Sequence, residues 1–117
     1  MNRGWTCLVE YPFTDGTGAK VRPVLVVSRD EFNKGEDVIV VPISSRPDKS
    51  DPYAIYIDEH TSVFSKTGLR YSSSVKWSKP FTIGKSLLIR RLGVLDEPTL
   101  RLVVASILTV FCDSEPS

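Results

Sequence analysis

Two short valine-rich runs, each beside a proline, set the narrowest limits on how this chain can fold. They are KVRPVLVVS, Lys20–Ser28, and DVIVVPIS, Asp37–Ser44. Apolar runs of this length, bounded by turn residues, read as buried β-strands. Proline has no N–H to give to a ladder. It is therefore confined to the first position of a strand, to an edge or to a bulge. Pro23 is accordingly expected to mark the entrance of a strand over Pro23–Ser28 and to hold Arg22 at the rim of a sheet. Pro42 demotes the end of its own strand to an edge or bulge. An arginine pinned at a rim is either a solvated charge or an anion-binding group.

The rest of the chain adds strands and one helix. Trp5–Tyr11 has β-rich composition, and Tyr53–Asp58 alternates at period two. Ser74–Trp77 and Leu87–Leu92 read as further strands. FTDGTGAK, Phe13–Lys20, carries Gly16 and Gly18 and is a turn-rich loop; Ser45–Pro52 is another, and Glu59–Leu69 is irregular. Near the end, Leu100, Val103, Val104, Ile107, Leu108 and Phe111 repeat at the spacing of one helix face. Asp96 is placed to cap that helix, and Pro98 fits its first turn. Leu102, Ala105 and Val110 make the opposite face apolar too, so the helix wants two partners: its own sheet, and either deeper burial or a second subunit. The expected architecture is mainly β with α, five to seven mostly antiparallel strands with a C-terminal helix packed on them.

A chain of 117 residues, 41% of them apolar, suits a single domain over residues 1–117 with a real core. No apolar run is long enough to span a membrane, so a cytoplasmic protein is expected. Cys7 and Cys112 read as reduced thiols, and no Cys/His cluster has metal-ligand spacing; neither a metal nor a cofactor is expected. The net charge of +1 conceals an asymmetry. Residues 60–95 hold Lys66, Arg70, Lys76, Lys79, Lys85, Arg90 and Arg91 and no acidic residue. Such a segment is either a solvated basic surface or a field for a polyanion.

Arg22 and the strand-end pair Ser44-Ser45 are the groups with chemical potential. The glycine-bearing loop before Arg22 matches neither the Walker nor the dinucleotide pattern. Serines after a strand are ordinarily turn residues. The lone histidine, His60, lies in a turn-like DEHTS stretch, and no G-x-S-x-G elbow is present to make a hydrolase triad with it. Trp77 reads as a strand residue of the core, with base stacking as the functional alternative.

The ordered blocks YPFTDGTGAKVRPVLVVS, DVIVVPISS, GLRYSSSVKWSKPFTI and SLLIRRLGVL, over about residues 3–111, resemble the PemK/MazF toxins of toxin–antitoxin pairs, and their PemK-like branch in particular. The resemblance implies a small SH3-like β-barrel and a homodimer. It implies a metal-independent endoribonuclease that cuts single-stranded RNA and leaves 2′,3′-cyclic phosphate ends. It also implies a cognate antitoxin that blocks the RNA groove. The arginine of the family's R-P motif falls on Arg22. Its catalytic threonine falls on Ser44, a substitution that keeps the hydroxyl, and the serine of its S-x-V block falls on Ser73. The family's RNA-lining loop falls on Thr14–Val21.

With the cationic segment, the expected RNA contacts are Thr17, Gly18, Lys20, Ser45, Arg70, Ser73, Lys76 and Lys79, beside the catalytic Arg22 and Ser44. Two departures stand out: Arg3-Gly4-Trp5 replaces the family's opening R-G-D, and the first loop lacks the glutamate of some members. Two further readings remain open at this level: a catalytically silent relative that binds or regulates, and a gyrase-binding toxin of the CcdB type, which shares the fold.

Overall fold

A computed structural model of the protein describes residues 1–11 and 20–112. Seven strands and one α-helix follow in order: β1 Trp5–Tyr11, β2 Lys20–Val26, β3 Asp37–Ser44, β4 Ile55–Ile57, β5 Ser73–Val75, β6 Phe81–Gly84, β7 Leu88–Val94 and α1 Glu97–Phe111. The paired strands run β4-β5-β3-β2-β1-β7, with β6 on β3 beside β5, and every pairing is antiparallel. The mainly β architecture with a C-terminal helix is as expected. The sheet is not a closed barrel, since β4 and β7 terminate the path.

The valine runs are central because both of their faces are covered. Val24 and Val26 pack with Cys7, Val9, Val38, Val40 and Ile83 on one side of the sheet. Leu25, Val27, Val41 and Ile43 pack on the other with Val75, Trp77 and the helix residues Leu100 and Val103. A strand buried on both faces reads as a continuous apolar run, which is why these segments show little alternation. Each buried valine or leucine contributes about 1.5–3 kcal/mol relative to exposure. Trp77, 7% exposed, belongs to this core.

β2 begins three residues earlier than expected and carries Pro23 inside it, opposite Leu8 of β1. The proline is tolerated because β2 has only one partner there. On its other side the ladder to β3 comprises Val24–Pro42, Leu25–Val41 and Val26–Val40 and reaches no farther. The Lys76 N–H donates to the Pro42 carbonyl at 2.9 Å, so Pro42 turns its carbonyl towards the end of β5, away from β2. Backbone rungs between β2 and β3 therefore fall on the odd-numbered residues, as the Val27 N–H to Ile39 carbonyl bond of 3.0 Å continues to show. The next rung would join Pro23 to Ile43, and Pro23 has no N–H to give. Pro42 in turn sits between the stretch of β3 paired to β6, which ends at Val40, and the stretch paired to β5, which starts at Ile43. That gap is the edge position its sequence required.

The start of β1 is held without the family's aspartate. The Gly4 N–H donates to the Val26 carbonyl and the Leu95 N–H to the Gly4 carbonyl, each at 2.8 Å, while Arg3 Nε donates to the Val27 carbonyl at 2.9 Å. The Trp5 ring lies under the Arg91 guanidinium, 4.5 Å from ring centroid to Cζ. The helix begins where its cap predicts: Asp96 accepts from the Thr99 N–H at 3.0 Å, with proline in the first turn. Leu100 and Val103 are buried, whereas Leu108 is 61% and Phe111 73% exposed. Strand β6 has no counterpart among the expected strands; its four residues follow Lys79-Pro80 and lack a clear apolar run.

Candidate active site

Beyond the last rung the two strands part. In the register of the ladder, Arg22 is the residue opposite Ser44, two positions past Val24–Pro42 and on the same face. The space between the parted strands is a cleft of about 270 Å³ lined by Tyr11, Arg22, Pro23, Pro42, Ile43, Ser44, Ser45 and Arg46. Ser44 forms a turn at its edge: the Arg46 N–H donates to Ser44 Oγ at 3.2 Å. The Ser44 hydroxyl proton has only a long contact, 3.4 Å, with the Arg46 carbonyl. The ordinary turn role of a serine and the presentation of its hydroxyl thus coincide.

A second cleft, of about 290 Å³, shares Pro23 and Ser45 with the first. Its floor comes from Leu8, Leu69 and Leu92, and Arg70, Tyr71, Ser73 and Arg90 complete it with Gly68. Gly68 is required there. It has φ +73°, and a Cβ would lie 2.2 Å from the Leu92 carbonyl oxygen, so a side chain would strain the backbone and push the turn off β7. The turn is also tied to β1, where Thr6 Oγ1 donates to the Thr67 carbonyl at 2.6 Å in the interior.

Four guanidinium groups, those of Arg22, Arg46, Arg70 and Arg90, line the two clefts, and no carboxylate does among the described residues. None of the four belongs to an ion pair with a described residue. Such a lining can hold anionic groups: each guanidinium is charged at ordinary pH and offers a planar fork of donors. No described residue of the first cleft is a carboxylate or an imidazole, so proton removal there has no obvious side-chain base.

The expected site residues divide as follows. Arg22, Ser44 and Ser45 come together in the first cleft, and Ser45, Arg70 and Ser73 in the second. Ser73 is 2% exposed and its hydroxyl donates to the Tyr71 carbonyl at 2.7 Å, so it shapes the wall with its proton already placed. Lys76 lines neither cleft. Its Nζ lies 3.0 Å from Asp51 Oδ2, clasping the β3–β4 loop to the end of β5. Asp51 is held below its usual carboxylate pKa of 3.8, first by the Tyr53 N–H and then by Lys76. Lys79 also lines neither cleft, and Lys20 pairs opposite Tyr11 at the start of β2. Thr17 and Gly18 lie outside the described residues. His60 is exposed in a turn, where its backbone N–H donates to Asp58 Oδ1 at 2.8 Å.

Arg46, Tyr11, Arg90 and Tyr71 line the clefts without having been singled out. The signal for Arg46 was its position directly after the serine pair. Arg90 faces the cleft because β7 pairs β1 with shifts of register, which the sequence does not display.

The chain matches a family model over residues 2–111, that of the PemK-like, MazF-like toxins of type II toxin–antitoxin systems. No curated protein matches it significantly. Among solved structures it is similar to a mycobacterial endoribonuclease in complex with its cognate antitoxin, with 22% identity over 99% of each chain and a TM-score of 0.74. It is also similar to the Mycobacterium tuberculosis toxin MazF-mt6, with 22% identity over 92% of this chain and 95% of that one and a TM-score of 0.69. A MazE–MazF complex from Deinococcus radiodurans shares 17% identity over 97% of each chain, with a TM-score of 0.76. With a family match over nearly its whole length and the same fold in these neighbours, the chain belongs to the PemK-like, MazF-like toxins of type II toxin–antitoxin systems.

Proposed function

We propose that the protein is an endoribonuclease that cuts single-stranded RNA at short sequences, needs no metal, and leaves 2′,3′-cyclic phosphate ends. The observation that carries this reading is the placement of Arg22 and Ser44 across one cleft, where β2 and β3 part. In the reaction the RNA 2′-oxygen attacks the adjacent phosphorus. The 2′-O–P bond forms, the P–O5′ bond breaks, the 2′ proton leaves, and the departing 5′ oxygen gains one. Negative charge accumulates on the non-bridging phosphoryl oxygens. Arg22 supplies the fixed countercharge, forking across two of them. A donor preorganised for such charge is worth about 3–4 kcal/mol. The Ser44 hydroxyl, positioned by the Arg46 N–H, donates to a phosphoryl oxygen and holds the group in line. Arg46 and Ser45 track the flanking backbone.

The same charge fits a cognate antitoxin as partner, an acidic segment of which would occupy the arginine-lined trough. The exposed apolar residues of α1, Leu102, Leu108, Val110 and Phe111, support a homodimer. The test is incubation of the purified chain with long single-stranded RNA in EDTA. Cuts at a recurring short sequence with cyclic-phosphate ends are expected. RNA left intact by folded protein across many sequences would overturn the enzyme reading in favour of a silent binding module.

A further inference from the structure

We infer that the second cleft is a nucleobase pocket selective for guanine, and that Arg70 and Arg90 read the base next to the cut; this rests on the proposed nuclease reading. The two clefts share Pro23 and Ser45, so a strand whose phosphate lies at Arg22 carries its neighbouring nucleoside over that wall into the second cleft. The pocket differs in character from the first. Its floor is aliphatic, from Leu8, Leu69 and Leu92, whereas a backbone phosphate would call for a polar one. An aliphatic surface of this kind suits the face of a base. Tyr71, 60% exposed at the rim, offers a stacking surface.

The charged groups that the edge of the base then meets are all donors. Arg70 and Arg90 are cationic forks, no carboxylate is present among the described lining residues, and Ser73, its proton given to the Tyr71 carbonyl, is 2% exposed and offers the base little. Guanine is the base with two adjacent acceptors, O6 and N7, which one guanidinium fork engages together. Adenine and cytosine would point an amino group at the same fork, and uracil offers a single O4. The two cationic forks therefore select by attraction for one base and by donor-against-donor repulsion against two others.

The experiment maps cut sites of the wild type, Arg70→Ala and Arg90→Ala in a randomised RNA pool, scoring the ratio of guanine to other bases within each variant. A guanine preference of about tenfold or more at one position beside the cut is expected, collapsing towards unity in at least one variant. Cleavage without that preference, or with a preference that both variants keep, overturns the inference while leaving the nuclease reading standing. A direct binding arm separates the two further. In amide chemical-shift titrations of the same proteins, guanosine monophosphate should move Leu69, Tyr71 and Leu92 more than the adenosine, cytidine and uridine monophosphates do, and Arg90→Ala should abolish the difference. Equal responses to all four nucleotides overturn the inference whether or not RNA is cut.

Discussion

Arg22 of β2 and Ser44 of β3 line one cleft, each two residues past Val24–Pro42, the last pair of the ladder between their strands. The reason is covalent. One of the two hydrogen bonds of the rung that would close the strands over this spot needs an N–H at position 23, and the residue there is proline. The cleft is thus the absence of one hydrogen-bonded rung, flanked by an arginine and a hydroxyl on the same face of the two strands.

Pro23→Val tests that origin. It restores an N–H facing Ile43, and a β-branched residue is at home in a strand. The expected outcome is an added rung, read as a slowly exchanging amide at position 23, with folding stability unchanged or raised by about 1 kcal/mol. RNA cleavage should fall because the cleft narrows. Full activity together with a protected amide would detach the cleft from its proposed cause.

Ser44→Thr should retain cleavage, since the hydroxyl remains and the turn with the Arg46 N–H can still form. Ser44→Ala loses both, and should cost about 0.5–1.5 kcal/mol of stability and lower the rate of cleavage with little change in RNA affinity. Equal activity in Ser44→Ala and the wild type would remove Ser44 from the chemistry.

Gly68→Ala should destabilise the protein by about 1–3 kcal/mol, through its left-handed backbone and its approach to Leu92. Chemical denaturation reads this directly, and a loss below about 0.5 kcal/mol would contradict the account of that turn.

The Asp51–Lys76 pair makes a pH prediction. The Asp51 carboxyl is depressed below 3.8 in the fold, so the folded state binds its proton less readily than the unfolded chain does. Its contribution is present above that value and is lost as pH falls through the lower folded one. Asp51→Asn should therefore melt lower than the wild type at neutral pH, and the gap should close in strong acid. A gap that is constant with pH would show that the pair carries no such linkage.

Much of this was legible in the chain. The buried valine runs, the capped helix and the meeting of Arg22 and Ser44 in one cleft follow from apolar pattern, Asp96 and motif order. Strand β3 has the bounds its composition sets. What the sequence hid is tertiary. Pro23 looked like a strand entrance because a proline inside a strand is costly; it lies inside one because its missing donor faces the side where β2 has no partner. Lys76 looked like a phosphate ligand because no acid is near it in sequence, and Asp51 reaches it from twenty-five residues away. Arg90 became a cleft residue only through the irregular pairing of β7 with β1.

The most direct test of the central claim is a double-mutant cycle on RNA cleavage with wild type, Arg22→Ala, Ser44→Ala and the double variant. If both side chains act on one phosphate across the parted strands, Arg22→Ala lowers the rate by about 10²–10³-fold. Ser44→Ala should then cost far less in that background than alone. Losses that multiply independently, or an Arg22→Ala protein that cuts as well as the wild type, would contradict the account.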